Sequence, residues 1–357
     1  NYSIRRILAA IPVLLGILLL TFALARAIPG DPCRAILGEK ATRETCDRFI
    51  HERGLDRPVL VQFGIYLTDV AQGDFGNSIR FNRSAVQILV ERLPVTIELS
   101  LSAFILSVLV GVPLGIFSAI KRNTFIDVAT MAGANLGVSI PVFWLGLMLA
   151  FFFAVVLKDT PLALPPSGRL AAGISSTPFY EFYGWTVQEG TVRFNLVEFF
   201  ANFYLLNSLI TGDWEVLVDA IKHLILPAVA LSTIPLSIIA RMTRSSLLEV
   251  LGLDYIRTAR AKGLGEGPVV MKHAFRNALL PVVTIMGLQL GSLLAGAVLT
   301  ETIFGLRGVG LTLFESITSR DYPIIQAFTV VIAAIYLIIN LLVDISYAFL
   351  DPRIRLD

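Results

Sequence analysis

Asp254-Tyr255-Ile256-Arg257-Thr258-Ala259-Arg260-Ala261-Lys262-Gly263-Leu264 is a basic, helix-prone segment stranded between two apolar runs. Lys272-His273-Ala274-Phe275-Arg276-Asn277-Ala278-Leu279-Leu280-Pro281 carries it straight into the second of those runs. Basic residues collect in short loops on the cytoplasmic face of a membrane. A loop with helical propensity and a Gly terminator is a docking element rather than a slack tether. The setting makes the chain polytopic and all-α, and it narrows the question of function to what docks there.

Composition agrees. The 357 residues are 55% hydrophobic and only 16% charged, where a soluble protein would carry about a quarter charged. Crossing ~30 Å of hydrocarbon takes roughly 20 helical residues. Six runs qualify: Ile7 to Ala25, Leu99 to Ile120, Val128 to Leu157, Leu224 to Ala240, Asn277 to Thr300 and Tyr322 to Val343, each free of Asp, Glu, Lys and Arg. No strand-period alternation suggests a barrel. The fourth run is short, and Pro227 and Pro235 predict a kink. Phe199 to Gly212 falls short of a span, and Glu198, Asn202 and Asn207 make it an interfacial or buried helix. Arg5-Arg6 and Ala25-Arg26-Ala27 flank the first run as a signal peptide's ends would, but that run is longer than a signal core and reads as a retained span.

With both termini inside, Arg5, Arg6, Lys121, Arg122, Arg241, Arg244, Arg257, Arg260, Lys262, Lys272, Arg276, Arg353 and Arg355 share the cytoplasmic side. Only Asp127, Glu249, Asp254, Glu266, Asp351 and Asp357 oppose them there. That asymmetry fits an even number of spans. The expected layout is a first transmembrane helix over 1–28, an extracytoplasmic cap over 29–93, a membrane domain over 94–350 and a tail over 351–357. The membrane domain holds an outer insertion at 158–222 and a cytoplasmic loop at 241–276. Cys33 and Cys46 both fall in the cap, which suggests a disulfide, two free thiols being the alternative. Closing that loop would contribute on the order of 3 kcal/mol.

Within the cytoplasmic loop, Thr243 to Val250 reads as helix, Gly252 interrupts it, and a second helix starts near Asp254 as N-cap. Ile256, Ala259 and Lys262 share one side, with Arg257, Arg260 and Ala261 elsewhere. Gly263, Gly265, Gly267 and Pro268 end the helix. The Gly263-Leu264-Gly265-Glu266-Gly267 run is a helix stop; no strand precedes it and no Lys follows it, as a phosphate loop requires. Ionisable groups in mid-membrane would mark an ion relay, yet Glu98, Glu301 and Asp344 sit at span ends. His51, His223 and His273 are scattered, and no catalytic motif is present. The reading is a transport subunit that is not an enzyme and whose energy enters from outside. Asn135, Ser139, Gln289 and Ser292 are the polar candidates for a translocation path. Gly111-x3-Gly115 and Gly287-x3-Gly291 are helix-packing motifs.

The segments Asp254 to Leu264 and His273 to Thr284 resemble the permease subunits of bacterial ABC importers for dipeptides and oligopeptides, in particular the B-type subunit. Ile28-Pro29-Gly30-Asp31-Pro32, Gly54-Leu55-Asp56-Arg57-Pro58, Arg241-Met242-Thr243-Arg244-Ser245-Ser246, Thr300-Glu301-Thr302-Ile303-Phe304, Arg320-Asp321-Tyr322-Pro323 and Asp351-Pro352-Arg353-Ile354-Arg355 extend the likeness along nearly the whole chain. The resemblance implies a type I ABC importer permease fold in the bacterial inner membrane, six transmembrane helices, and ordered extracytoplasmic loops. It implies a second permease, two ABC ATPase subunits, an extracytoplasmic solute-binding protein and membrane lipids as partners, and no nucleic acid. ATP and Mg would be used by the ATPases, with no cofactor on this chain.

The family's coupling signature, Glu-Ala-Ala-x3-Gly, maps onto Arg257, Thr258, Ala259 and Gly263, so its Glu and first Ala are replaced. Asp254, Tyr255, Lys262 and Leu264 complete the expected ATPase-coupling set. Leu170 to Asp219 is longer than the peptide branch normally has, and reads as an outer lid or as a contact for the solute-binding protein. The same motifs serve importers of nickel or glutathione. An ungated channel or structural subunit is the more distant alternative.

Overall fold

The architecture is that of a computed structural model, which describes residues 2–27, 33, 41–52 and 56–350. The motif at 28–32, Gly54 and Leu55, much of the cap before position 56, and the tail 351–357 lie outside the described residues. Every regular element among those described is helical; Asn77 and Ser84 form one isolated bridge.

In chain order the helices are α1 (Tyr2–Ala27), α2 (Arg43–Glu52), α3 (Val59–Ala71), α4 (Ala85–Ile120), α5 (Phe125–Ser139), α6 (Val142–Phe151), α7 (Phe179–Phe182), α8 (Val192–Ala201) and α9 (Tyr204–Thr211). They continue with α10 (Trp214–Leu251), α11 (Asp254–Ala261), α12 (Glu266–Pro268), α13 (Arg276–Gly296), α14 (Val298–Ile303), α15 (Val309–Ser319) and α16 (Tyr322–Leu350). Cys33 and Cys46 are disulfide-bonded, so the cap is stapled.

At 1.5 Å per residue, α4 and α10 are ~54 and ~57 Å long, far more than the ~30 Å a hydrocarbon core requires. Both therefore reach beyond the hydrocarbon, α4 through its N-terminal turns ahead of Leu99 and α10 at both ends of its apolar run. Toward the C-terminal end of α4 the two pack face to face with little side chain between them. A Cβ added at Gly111 would lie 2.9 Å from the Leu236 carbonyl oxygen, and one at Gly115 2.6 Å from that of Ala240. Gly287 and Gly291 do the same for α13 against Val343 and Tyr336 of α16. Both glycine pairs are packing devices, as their spacing suggests. Helices α5, α6 and α13 also pack on α10, and α1 packs on α16.

Three expectations change. The run Val128 to Leu157 is not one straight span: α5 and the helix continuing α6 to Val156 meet at 98°. Pro141 is the cause, because its ring disfavours helical geometry at the preceding residue, and Ile140 is extended (φ −81°, ψ 123°). Each arm, at ~22 Å, is too short to cross alone. Four single helices are long and apolar enough to cross, and this bent pair passes the test only when taken together. Helix α1, expected as the first crossing, has a shorter apolar stretch, Leu8–Leu24, so the described residues hold up to five spans by length and apolarity rather than six.

The fourth run is longer than expected. It spans Trp214–Leu251 as one helix through both prolines and takes in Thr243 to Val250. Apolarity revealed only the part that crosses lipid, while the helix continues through Asp219 and Lys222 on one side and Arg241 and Arg244 on the other. Just upstream of Pro235, Ser107 of α4 donates to the Ser232 carbonyl at 3.1 Å, the kind of outside donor that lets proline persist in a membrane helix.

The third change concerns Gly267 and Pro268, which open a helix instead of ending one. Proline is tolerated in a first turn, where its missing N–H has no partner to lose. From Glu266 the chain winds through a π-helical stretch, Val269–Phe275, into α13.

Replacing Gly115 with Val should cost about 1–3 kcal/mol or more, because its Cβ meets backbone that cannot rotate away. Gly133→Val, with open space around its Cβ, is the matched control. Thermal unfolding in detergent checks this: a lowered midpoint for Gly115→Val alone is expected, and equal midpoints would exclude tight α4–α10 packing.

Candidate functional site

Helix α11 lies at the end of the bundle where α10 closes and α13 opens, the end expected from the charge distribution to be cytoplasmic. Leu253 occupies its N-cap position without a side-chain cap. Asp254 is thus the first helical residue rather than the cap, and its carboxylate accepts from Arg257 at 3.2 Å. Gly263 ends the helix at φ +81°, a left-handed geometry that glycine adopts freely. Its N–H reaches the Arg260 carbonyl at 2.9 Å.

The helix has two unlike faces. Ile256 and Ala259 are buried with Leu247 of α10, Ala119 of α4, Val269, Val270 and Ala274 of the π-helical stretch and Ala278 of α13. The inner face of α11 therefore grips the ends of three long helices at once. Ala259, expected as a contact for an ATPase, is 8% exposed and faces its own chain. Lys262 does not share that buried side; it is exposed, because it already lies in the turn beyond the last helical residue.

Asp254, Tyr255, Arg257, Thr258, Lys262, Gly263 and Leu264 form the open face, together with Leu253 and Met271. Arg260 is folded back onto Glu266 through bonds of 2.8 and 3.1 Å, closing the turn after α11. Asn277 donates to the Tyr255 hydroxyl at 2.8 Å and to the His273 carbonyl at 2.8 Å, tying α11 to the first residues of α13.

Beside this platform sits an ion pair that the sequence pattern did not single out. Arg244 of α10 holds Asp127 of α5 through two bonds, Nε to Oδ1 at 2.7 Å and Nη2 to Oδ2 at 2.8 Å. Ser118 of α4 donates to Oδ1, and the Asn123 N–H reaches Oδ2 at 3.0 Å. The Asp127 side chain is only 5% exposed. By sequence Asp127 reads as a loop charge and Arg244 as part of the helix Thr243 to Val250, with nothing to pair them. Ser118 adjoins Ala119, and Arg244 is one turn from Leu247, so the clamp and the α11 platform share neighbouring turns of α4 and α10.

The four polar candidates for a path do not form one constellation. Asn135 and Ser139 are exposed on α5, where the Ser139 hydroxyl donates back to the Asn135 carbonyl at 2.9 Å. Gln289, partly buried, and Ser292, exposed, lie on α13. Helix α5 packs on α4 and α10, while α13 packs on α4, α10 and α16.

At the opposite end the insertion is ordered and latched to α4. Arg169 donates to Glu98 at 2.9 Å and to the Asn202 carbonyl at 2.8 Å, and its guanidinium stacks 3.5 Å from the Tyr204 ring centroid. Leu205 N–H completes the Glu98 site at 2.8 Å. Asn207, expected on a buried or interfacial helix, is indeed buried, holding Phe179 N–H and the Thr177 carbonyl at 2.8 Å each. Tyr180 donates to Glu198 at 2.7 Å; burial and that carboxylate push its phenol well above the usual range, so it remains a donor.

Glu301 is fully buried in α14, accepting from Thr96 at 2.6 Å and from Leu311 N–H at 2.8 Å. Asp344 pairs with Arg6 at 3.1 Å. Among the described residues no group of His, Cys, Asp and Glu could hold a metal.

Residues 111–356 match the family described as binding-protein-dependent transport system inner membrane component, and residues 1–100 match the N-terminal region of such membrane components. The chain is 44% identical over 354 residues to a dipeptide transport system permease protein of Alkalihalophilus pseudofirmus, covering 99% of both. It is 41% identical to a di/tripeptide transport system permease protein of Pseudomonas aeruginosa and to a dipeptide transport system permease protein of Escherichia coli. In each case the match covers 99% of this chain and 98% of the relative.

Two outcomes follow from the geometry. Asp127→Ala should destabilise the protein by about 2–3 kcal/mol, less than for a fully buried pair because the Arg244 side chain it strands is 27% exposed. Asp127→Leu with Arg244→Met should lose much less than the two single changes together. A double-mutant cycle on thermal unfolding reads the coupling, and additive losses would mean that the pair is not a unit. Gly263→Ala should cost about 1–2 kcal/mol through its left-handed backbone, with no clash, since nothing lies within 4 Å of its Cβ. Hydrogen exchange in the 254–264 region should rise while that of α10 is unchanged.

Proposed function

The chain belongs to the family of inner membrane components of binding-protein-dependent transport systems, and we propose that it is a permease subunit of an ATP-driven peptide importer. In this reading it pairs with a second permease to enclose the path for di- or oligopeptides. Two ABC ATPase subunits sit beneath the pair, and an extracytoplasmic solute-binding protein delivers the cargo. The peptide reading rests on near-full-length identity to dipeptide permeases, which favours it over nickel, glutathione or an ungated channel. ATP and Mg belong to the ATPase partners, and both termini face the cytoplasm.

The observation that carries the mechanism is the two-faced helix α11. Its open face offers Tyr255, Arg257, Thr258, Lys262 and Leu264 to an ATPase cleft, while Ile256 and Ala259 hold it to α4, α10 and α13. Closure of the ATPases on ATP would displace α11, and the buried face would pass that displacement to the ends of the long helices. A ligand shifts a two-state equilibrium only through contacts that differ between the states, and here those contacts would be the ones to α11. Ala259 then acts by keeping α11 seated on its own chain, and Gly263 by turning the chain away behind it. At the outer side, the latched insertion of α7, α8 and α9 offers a surface for the solute-binding protein.

Reconstitution of the permeases with ATPases and binding protein in liposomes tests this. Dipeptide uptake should require ATP and all partners, and Arg257→Glu with Lys262→Glu should cut it by about tenfold, equivalent to 1.4 kcal/mol of lost contact. Uptake that persists without ATPases would establish a channel instead.

A further inference from the structure

Helix α3 belongs to the extracytoplasmic cap by sequence order, yet its surface is apolar. Leu60 is 81% exposed, Val59 58%, Val61 46% and Ile65 40%, and none of its residues is buried. At 100° per residue, Leu60, Ala71, Gly64, Thr68, Val61 and Ile65 fall within an arc of about 140°. The one hydroxyl in that arc, on Thr68, is turned back onto the Gly64 carbonyl at 2.9 Å. Asp69, the only charge on the helix, stands at the edge of the arc and near the C-terminal end.

The other face of α3 is fixed in height. Phe63 and Tyr66 pack on Phe22 of α1, with ring centroids 5.1 and 5.7 Å apart. The inner edge of the membrane on α1 is marked by the ion pair of Arg6 with Asp344. From Arg6 to Phe22 is sixteen residues, or ~24 Å of helix. That is less than the ~30 Å of hydrocarbon. Helix α16 gives a second ruler: from Asp344 back to Tyr322, where it starts beside the buried Asp321, the rise is ~33 Å. Measured from the same pair, Phe22 falls ~9 Å short of that outer end. The ring contacts therefore hold α3 below the outer polar boundary. Thirteen residues reach only ~20 Å, so it cannot cross.

We propose that α3 lies in the plane of the outer leaflet, with the Leu60–Val61–Gly64–Ile65–Thr68 face in contact with lipid acyl chains. It is the membrane float of the disulfide-stapled cap. Its exposed apolar face needs a covering, and at this depth the covering available is lipid. An in-plane helix of this kind gains stability from its apolar area and keeps its few polar groups toward the boundary. Here Asp69, about 40° beyond the arc, and Arg57 just ahead of the helix are exposed and placed to reach headgroups or water.

The test places a nitroxide at Leu60→Cys, Val61→Cys or Asp69→Cys in the assembled transporter in lipid nanodiscs, each compared with the unsubstituted assembly labelled in the same way. Cys33 and Cys46 are bonded to each other and take no label. Collision with oxygen should exceed collision with a neutral nickel chelate at 60 and 61, and the order should reverse at 69, which lies outside the apolar arc. Nickel chelate dominating at 60 and 61 would place the face in water. Exclusion of both reagents there would mean that a protein partner covers it. Either result overturns the proposal.

Discussion

A methyl group at Gly115 would sit 2.6 Å from the Ala240 carbonyl oxygen and one at Gly111 2.9 Å from that of Leu236; the rest of the structure depends on those two absent side chains. In lipid no hydrophobic force drives one helix onto another, so association relies on close van der Waals contact. With Gly at both positions, α4 and α10 approach until backbone meets side chain. Because each helix is nearly twice the membrane thickness, the contact sets the geometry of both faces together. A register slip of one turn would displace the outer latch and the inner clamp by ~5.4 Å.

Each end is then closed by polar groups that could not sit in hydrocarbon. At one end Arg169 and Glu98 join α4 to the segment after α6, and Asp219 of α10 accepts from Ala171 N–H at 2.7 Å. At the other, Arg244 and Asp127 join α10 to α5. Buried pairs of this sort contribute little net stability compared with apolar packing, but removing one partner is costly. Their effect is to define which arrangement of helices is allowed. The glycine contacts set the register as well, because Ile239 and Thr243 of α10 sit where side chains at Gly111 and Gly115 would be.

Much of this was legible in the residues. Five of the six apolar runs correspond to helices, both glycine motifs pack as their spacing implies, and Cys33 and Cys46 are joined. Helix α11 starts and stops within a residue of its expected bounds, because Gly252 and Gly263 punctuate it and Asp254 favours its first turn. The bend at Pro141 was hidden because a hydropathy run counts apolar residues and is blind to direction. The true length of α10 was hidden for the opposite reason: Asp219, Lys222, Arg241 and Arg244 look like loop charges, and only their helical continuation outside the lipid shows otherwise. The Arg244–Asp127 clamp was not legible at all. Its partners are 117 positions apart, and no local pattern links them.

The replaced signature residues on α11 fit the same logic. Its conserved-type position 259 stays small because it is buried against Leu247 and Ala119, so side-chain volume there is fixed by this chain's own packing. Position 263 is Gly because the backbone is left-handed, again a local requirement. Positions 257 and 258 carry no such burden, since both are exposed and their side chains bond within α11, to Asp254. Arg and Thr can therefore stand where the related signature has Glu and Ala without disturbing the fold. The residues free to differ are those on the open face, where neither this chain's packing nor its backbone geometry fixes the side chain.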